Sequence, residues 1–287
     1  MLGDCADLRV FLQKWRSGDS GNVGSKIKPR SFRPNYIVPR LYLGAIKDVQ
    51  DIPLLNGRLV PEKLLLMVST CEPTNEPRLE FRHVLPATVK GEVAEACKMK
   101  VSSRVRRLAV CAWEELEACL NRLSREGPSL MEGMARWLKL FFQSATKSMA
   151  GTGTGGADLG RSQIPKESNE GVLYMKLCLP WKDEPTFAVR QYFPLAVSLM
   201  QCTMDELQGA VVCYCAAGKS RSATLVCAFL LHYYCKECAA GNKSCSATSA
   251  VSTVLEFVRE ARLCVGPNEG FVQQLREYAN DLFATPP

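Results

Sequence analysis

Short apolar runs and helical repeats alternate along this chain, and the alternation predicts an α/β protein. The runs at 63–69 and 211–213 are mostly apolar and end in small or polar residues, which predicts buried strands of a parallel sheet. Residues 222–234 are apolar on nearly every side and predict a buried helix. The segments 35–45 and 171–180 predict further strands. The fold class expected is a mostly parallel central sheet flanked by helices.

Residues 1–34 predict an arm that carries a helix and then a flexible segment. Apolar side chains recur at helical spacing at Leu8, Phe11, Leu12 and Trp15. A stretch of Ser, Gly, Asp and Asn residues follows and ends the pattern. We expect the arm to dock on its own chain, with docking on a partner as the alternative.

Residues 87–171 form a long insertion between two predicted strands, and their pattern predicts two amphipathic helices. Gly127 and Pro128 end the first helix. Ser129 and Glu132 form a capping box that begins the second helix. The apolar face of the first helix comprises Val105, Leu108, Ala109, Ala112, Leu116, Cys119, Leu120 and Leu123.

A basic cluster lies at the front of the first predicted helix, and a glycine-rich segment follows the second. The cluster predicts a solvated face, and the alternatives are contact with a phosphate-rich partner or with an acidic membrane surface. Its members are Lys98, Lys100, Arg104, Arg106 and Arg107. Residues at about 150–170 predict a disordered tether, because a glycine-rich phosphate loop would need an adjoining strand and helix.

Composition and charge narrow the class of protein. Of the 287 residues, 47% are hydrophobic and 23% are charged, as in an ordinary globular protein. The net charge of +7 suits an acidic, phosphorylated substrate and requires neither nucleic acid nor a membrane. No uninterrupted apolar stretch reaches the roughly 18 residues that indicate a membrane span.

The chain contains 14 cysteines, and we expect them to be reduced thiols. Asp4 and Asp7 interrupt any apolar run at the start, so we expect no secretory signal and a cytoplasmic or nuclear location. Metal-like spacing occurs at Cys235, Cys238 and Cys245. Because a second pair of ligands is missing, we expect no metal site there.

The loop between the strand at 211–213 and the helix at 222–234 predicts a phosphate-binding site with a cysteine nucleophile. Loop N–H groups and the positive end of the helix dipole converge on one point, which suits a dianion. The same features lower the pKa of a thiol, and Cys215 is the candidate nucleophile. Arg221 supplies a planar fork for two phosphate oxygens. Ser222 is placed to hydrogen-bond the sulfur when the thiolate leaves.

The residues between the cysteine and the arginine line the candidate phosphate site. Gly218 allows the backbone to approach a phosphate because glycine has no Cβ. A nucleotide-binding loop is excluded, because that motif needs a glycine where this chain has Cys213. The phosphate-binding candidates are Ala216, Ala217, Gly218, Lys219, Ser220 and Arg221.

The segment at 215–224 resembles the signature loop of the dual-specificity subgroup of cysteine-dependent protein tyrosine phosphatases. The segment at 35–45 resembles the strands that open the catalytic domain of that family. Residues 262–275 resemble its closing phrase, in which Asn268 would cap the last helix. The resemblance therefore extends well beyond the candidate loop.

The resemblance covers residues at about 35–85 and 171–283. It implies a phosphatase domain at 35–283 that follows the arm at 1–34 and is interrupted by the insertion at 87–171. It also implies a protein-tyrosine-phosphatase-like fold with helices on both faces of the sheet. The site would then lie at the carboxyl end of the central strands.

The resemblance also implies a general acid and reveals one departure from the family pattern. Asp183 stands where the family carries the acid that protonates the leaving oxygen, and Glu184 is the adjacent alternative. The family usually has a histidine directly before the nucleophile, whereas this chain has Tyr214. A tyrosine carries no positive charge, so we expect a less acidic Cys215 and slower turnover near neutral pH than is normal for the family.

The function that the resemblance implies is hydrolysis of phosphotyrosine and of phosphoserine or phosphothreonine in proteins through a thiophosphoryl-cysteine intermediate, without metal or cofactor. Lys219 raises the alternative of a phosphoinositide or other lipid phosphatase, because a basic residue at this position also occurs in lipid-directed relatives. A weakly active scaffold that binds phosphopeptides is the other alternative. The catalytic residues implied are Cys215, Arg221, Asp183 and Ser222.

Overall fold

A computed structural model describes residues 5–17, 34–49, 65–73, 76–84, 105–126, 130–150, 172–237 and 245–284. Its strands are β1 (Asn35–Val38), β2 (Leu41–Ala45), β3 (Leu65–Ser69), β4 (Arg78–Val84), β5 (Val105–Ala112), β6 (Val172–Cys178) and β7 (Ala210–Cys215). Its helices are α1 (Ala6–Ser17), α2 (Ile46–Val49), α3 (Trp113–Glu126), α4 (Leu130–Ala150), α5 (Phe193–Asp205), α6 (Arg221–Glu237), α7 (Ala247–Ala261) and α8 (Glu269–Ala284). Within these ranges the strands join in one sheet of order β1-β2-β7-β3-β6-β4-β5.

Parallel pairing forms the middle of the sheet. β7 lies between β2 and β3 and is parallel to both, and β3 is parallel to β6 on its other side. The outer pairs, β1 with β2, β6 with β4 and β4 with β5, are antiparallel. The predicted α/β fold is therefore confirmed, with the parallel part confined to the four central strands.

β7 is buried on both faces, which explains the continuous apolar run that predicts it. Every residue of the strand is buried. Val211 and Cys213 pack with the large helices, whereas Val212 and Tyr214 lie in the cluster on the opposite face, beside α2. Because side chains alternate along a strand, Cys215 lies on the face of the large helices.

Residues 105–112 form a strand and not the first turns of a helix, which corrects the prediction from the sequence. β5 pairs along its length with β4, and the helix begins only at Trp113. An edge strand with buried Cys111 and exposed Val110 satisfies the same apolar spacing as a helix. The insertion is therefore not wholly helical. Of the predicted helical face, Val105, Leu108, Ala109 and Ala112 lie on β5, and Leu116, Cys119, Leu120 and Leu123 lie on α3.

The sequence pattern does not predict β4, which carries a buried carboxylate. Glu80 is fully buried and pairs with Arg78 at 2.7 Å, with Arg107 at 3.5 Å and with Arg82. Residues 78–82 alternate charged and apolar side chains, which is compatible with a strand, but the segment has no continuous apolar run like those that predict β3 and β7. The ion pairs with the arginines compensate the cost of burying the Glu80 carboxylate, so a charged residue can occupy a buried position in this strand.

The segments around the insertion agree with the sequence where they are described. α3 ends at Glu126, directly before the predicted stop, and α4 begins at Leu130. α5 begins at Phe193, directly after one 3-10 turn at Arg190–Tyr192. The predicted features outside the described residues are the link at 18–33, Lys98, Lys100, Arg104, Ser129, Cys238 and the glycine-rich segment at 151–171.

α1 confirms the helix predicted in the arm, and it docks on the chain's own core. Trp15 stacks on Tyr233 of α6 with ring centroids 4.1 Å apart. The Arg16 guanidinium donates to the carbonyls of Phe257 in α7 and Ile37 in β1. These contacts tie the arm to both the helical layer and the edge of the sheet.

Cys5 and Cys245 form a disulfide, which corrects the expectation that every cysteine is reduced. Their Cα atoms are 5.3 Å apart, within the span of ordinary disulfides. The bond joins the start of α1 to the segment before α7 across a sequence separation of 240. Cys215 and Cys264 are among the cysteines that are free thiols.

The described part of the chain holds neither a spanning helix nor a cluster of metal ligands. None of its helices combines the length and the apolar character needed to cross a bilayer. Among the same residues, no three His, Cys, Asp or Glu side chains come together in a way that could hold a metal ion.

Candidate active site

A tight loop joins β7 to α6 and carries the predicted phosphate-binding residues. The strand ends at Cys215, and the helix begins at Arg221. Gly218 has a φ of 65°, and a Cβ there would lie 2.4 Å from the carbonyl oxygen of Gly44 in β2. Only glycine fits this position, so the loop can pack directly against the neighbouring strand.

Cys215 lies at the base of this loop, where its sulfur accepts two hydrogen bonds. The residue is 1% exposed. The Gly218 N–H and the Ser222 hydroxyl each donate to Sγ at 3.2 Å. Burial raises the pKa of the Cys215 thiol, but hydrogen bonds from the Ser222 hydroxyl and from loop N–H groups outweigh burial and leave the pKa below its ordinary value. The loop therefore favours the thiolate, which is the nucleophilic form.

Arg221 reaches from the start of α6 to the segment that follows β6. Its Nη1 donates to the Trp181 carbonyl at 3.2 Å, and its Nε lies 3.5 Å from Asp183 Oδ2. The arginine side chain is 17% exposed, whereas the aspartate side chain is 40% exposed. Asp183, and not the adjacent Glu184, is thus the carboxylate beside the arginine, at the mouth of the site.

The other carboxylate oxygen of Asp183 is held by two donors. Ser220 Oγ donates to Oδ1 at 2.6 Å, and Asn268 Nδ2 donates to the same oxygen at 3.1 Å. The hydroxyl comes from the loop, and the amide comes from the segment before α8. Three separate parts of the chain therefore meet at this carboxylate.

α8 supports the segment that carries the candidate acid. Gln274 donates to the carbonyl of Phe187 at 2.9 Å. A Cβ at Gly270 would lie 1.9 Å from the carbonyl oxygen of Pro185, so only glycine allows the helix to touch this segment. Gln274 and Phe187 are 87 residues apart in the chain. The position of Asp183 therefore depends on the packing of a helix that is distant in sequence.

Arg262, directly after α7, fastens the outer side of the loop. Its Nε donates to the Gly218 carbonyl and its Nη2 to the Ala217 carbonyl, each at 2.9 Å. Nη1 donates to Asn35 Oδ1 at 2.8 Å, and Nη2 lies 3.4 Å from Asp48 Oδ2. Arg262 binds these carbonyls on the outer side of the loop, and the Gly218 N–H on the inner side donates to Cys215 Sγ.

Sequence reasoning misses two residues of the site. It does not single out Arg262, and it assigns Asn268 only the cap of the last helix. That cap is present, because the Phe271 N–H donates to Asn268 Oδ1 at 2.9 Å. The signal that could have found both residues is their place in the closing phrase at 262–275, which brings polar side chains to the same end of the fold as the loop.

Tyr214 points away from the loop toward the opposite face of the sheet. Burial raises the pKa of its phenol well above the ordinary value, and the phenol is hydrogen-bonded to the Ser69 side chain. The Tyr214 carbonyl accepts from Thr70 N at 3.0 Å and from Thr70 Oγ1 at 3.2 Å. The side chain therefore brings no positive charge behind the nucleophile.

The remaining loop residues differ in exposure. Ala216, Ala217 and Lys219 are exposed, whereas Ser220 is buried. The Lys219 carbonyl accepts from Gly266 N at 2.9 Å, which ties the loop to the turn after α7. The structure thus brings Cys215 and the six predicted phosphate-binding residues at 216–221 together in the loop and the start of α6, with Asp183 beside them.

An acidic, buried thiol beside an arginine fork is the arrangement that cysteine-dependent phosphatases use, and the loop at the carboxyl end of β7 conforms to that class. Residues 160–281 match the family model of the dual specificity phosphatase catalytic domain. The matched segment contains the loop, the acid candidate and the closing phrase.

Individual relatives share a moderate fraction of the sequence. Dual specificity protein phosphatase 5 of Rattus norvegicus is 27% identical over 109 residues, which are 38% of this chain and 25% of the relative. Dual specificity protein phosphatase 13B of Homo sapiens is 28% identical over 172 residues, 59% of this chain and 79% of the relative. The solved phosphatase domain of Yvh1 from Chaetomium thermophilum is 17% identical with a TM-score of 0.46, over 88% of this chain and 98% of that domain. The match thus spans a quarter of the first relative and most of the second.

Proposed function

We propose that the chain hydrolyses phosphotyrosine and phosphoserine or phosphothreonine in proteins through a thiophosphoryl-cysteine intermediate. The observation that carries the proposal is the environment of Cys215 Sγ, which accepts hydrogen bonds from the Gly218 N–H and the Ser222 hydroxyl. A buried thiol that is stabilised as a thiolate is an activated nucleophile. The match of residues 160–281 to the catalytic-domain model of the dual specificity phosphatases supports the same reaction.

In the first step, the Cys215 thiolate attacks phosphorus, and the S–P bond forms as the P–O bond to the substrate breaks. Arg221 and the loop N–H groups stabilise the charge on the equatorial oxygens. Asp183 donates a proton to the departing oxygen, which leaves as an alcohol or a phenol. The phosphoryl group stays on the sulfur.

In the second step, water attacks the phosphorus of the intermediate, and the Asp183 carboxylate takes the proton of that water. The S–P bond breaks, inorganic phosphate forms, and the sulfur leaves as a thiolate that the Ser222 hydroxyl stabilises. The same carboxyl group is acid in one step and base in the next, so the second step restores its starting protonation state.

Hydrolysis of p-nitrophenyl phosphate between pH 5 and pH 8 tests the proposal. Cys215→Ser should abolish turnover. Asp183→Ala should reduce hydrolysis of phenyl phosphate, whose leaving group needs a proton, by a factor of about 10² to 10⁴. Cys264→Ser is the matched control, because this thiol is free and exposed and should leave turnover intact. If the wild-type protein binds a phosphopeptide without hydrolysing it, the chain is a phosphopeptide-binding scaffold and not an enzyme.

The substrate class needs a second comparison. A peptide phosphorylated on Thr and Tyr and a soluble phosphoinositide, offered to the same enzyme at equal concentrations, separate the two chemistries. Release of phosphate from both sites of the peptide is the result expected of a dual-specificity protein phosphatase. A clear preference for the phosphoinositide would contradict the proposal of a protein substrate. It would indicate that Lys219 binds a lipid head group.

A further inference from the structure

The two oxygens of Asp183 have different surroundings. Oδ1 accepts from Ser220 Oγ at 2.6 Å and from Asn268 Nδ2 at 3.1 Å. Oδ2 lies 3.5 Å from Arg221 Nε, on the side of the residue that grips phosphate. One oxygen is therefore held by two donors, and the other lies on the side of Arg221.

We propose that Asn268 is a positioning residue for the acid: together with Ser220 it anchors Oδ1, so that Oδ2 is the oxygen that delivers the proton. This inference rests on the proposed function, since it requires Asp183 to act as the general acid. Asn268 itself touches neither the substrate nor the reacting atoms. It acts through the carboxyl group that it orients.

The amide of Asn268 is fixed by its second contact. Its Oδ1 accepts from the Phe271 N–H at 2.9 Å and so caps α8. Because the carbonyl oxygen is committed to the helix, the NH₂ group is the end that faces Asp183. The helix start therefore determines the orientation of the donor, and α8 is itself held against the acid segment by the close contact of Gly270 with Pro185.

The two donors suit both halves of the reaction. In the first step the proton moves from Oδ2 to the leaving oxygen while the P–O bond breaks, and the carboxyl group becomes a carboxylate. The donors at Oδ1 stabilise that new negative charge without moving. In the second step the proton of the attacking water returns to Oδ2, and Oδ1 keeps the same partners throughout.

This role predicts an effect that depends on the leaving group. p-Nitrophenolate leaves without much help from an acid, whereas phenolate needs a proton, and the two aryl phosphates differ only by a nitro group. Asn268→Ser retains a good helix cap but is too short to cap α8 and reach Asp183 together. We expect this variant to lose about tenfold in kcat on phenyl phosphate, the size of a lost hydrogen bond to a charged group, and less than about threefold on p-nitrophenyl phosphate.

Two controls separate positioning from general damage. Asp281→Asn weakens the pair between α8 and Arg190 without touching the acid, and it should leave the ratio of the two rates unchanged. Thermal melting of Asn268→Ser should match that of the wild type, because the cap is kept. In an Asp183→Asn background, Asn268→Ser should cause no further loss on phenyl phosphate, because the acid through which it acts is already gone.

The outcomes distinguish this inference from the proposed function. Equal losses of kcat on both aryl phosphates, or no loss on either, would overturn the role of Asn268. The proposed phosphatase function would still stand if turnover depends on Cys215. Absence of turnover in the wild type, or turnover that survives Cys215→Ser, would overturn the proposed function and the inference together.

Discussion

Two buried cysteines on β7 illustrate how local donors control acidity. Burial alone raises the pKa of the Cys213 thiol far above its ordinary value. Two residues later, burial also acts against the Cys215 thiolate, but hydrogen bonds from Ser222, Lys219 and Gly218 reverse the direction of the shift. The difference therefore comes from the donors that the loop supplies and not from solvent exposure.

Ser222→Ala should raise the pKa of Cys215. The hydroxyl donates to Sγ at 3.2 Å, and a lost hydrogen bond to a charged group corresponds to about one pH unit. Since only the thiolate reacts, the rate of iodoacetamide alkylation should reach half its plateau at a higher pH in the variant. An unchanged midpoint would show that the backbone N–H groups alone keep the thiol acidic.

Tyr214→His should act in the opposite direction. Protonated imidazole behind the loop adds a positive charge that the neutral Tyr214 phenol does not supply, and this charge favours the thiolate. The alkylation midpoint should fall, and turnover near neutral pH should rise. Tyr214→Phe is the control, because it removes the hydrogen bond with Ser69 without adding charge. Equal midpoints in the His and Phe variants would contradict the expected role of charge.

The candidate catalytic residues can be predicted from the sequence more readily than the residues that fix their positions. Cys215, Arg221 and Ser222 follow from a loop of fixed spacing, because strand and helix impose their mutual positions. Arg262 and Asn268 act through contacts with residues 44 and 85 positions away in the chain. Nothing in local periodicity marks such contacts, so they emerge only once the helices are packed.

At the level of elements, the turn between α7 and α8 contacts the loop at several points. Arg262 binds two loop carbonyls, Gly266 donates to a third, and Asn268 reaches the acid. Asn35 strengthens the same region, since its side chain accepts from Arg262 and donates to the Ala261 carbonyl at 2.8 Å. The end of one helix and the start of the next therefore form the outer wall of the site.

Arg262→Lys should loosen the candidate phosphate-binding loop. A lysine ammonium cannot reproduce the planar fork that binds Gly218, Ala217 and Asn35 together. We expect kcat/KM for p-nitrophenyl phosphate to fall by about tenfold, with weaker competitive inhibition by inorganic phosphate. Arg259→Lys, on the same side of α7 but bonded to Val265, is the control. Equal effects of the two changes would indicate a general loss of helix packing.

β5 shows where prediction of elements from sequence fails. Its residues satisfy the spacing of a helix, and they continue without a break into the apolar face of α3. The strand forms because β4 offers an unpaired edge, and β4 is not among the strands predicted from the sequence. The failure to predict β4 therefore leads to the wrong prediction of a helix at residues 105–112, because β4 is the strand with which these residues pair.

Across the whole molecule, the N-terminal helix is fastened at both ends. The disulfide between Cys5 and Cys245 holds its start, and Arg16 holds its end through Phe257 and Ile37. The Arg16 guanidinium also lies 3.5 Å above the Phe257 ring. The helix thereby joins the first strand of the sheet to α7, whose last turn leads into the wall of the site.

Cys5→Ser should lower the stability of the oxidised protein. The bond closes a loop of 240 residues, and such cross-links typically contribute about 2 to 4 kcal/mol to the free energy of unfolding. Urea unfolding of the wild type should shift to lower urea when dithiothreitol is added, whereas the variant should not respond. Cys264→Ser, which removes an exposed free thiol, should respond like the wild type. If dithiothreitol does not change the urea midpoint of the wild type, the disulfide does not make the expected contribution to the free energy of unfolding.

The meeting of three distant segments at Asp183 has a consequence for newly made protein. The carboxylate and its amide donor are 85 residues apart, so a ribosome adding about 5 to 20 residues per second exposes the acid several seconds before the group that orients it. The nucleophile likewise emerges before the arginine that braces its loop. In a growing chain, the site that we propose is therefore complete only when α8 has emerged and docked.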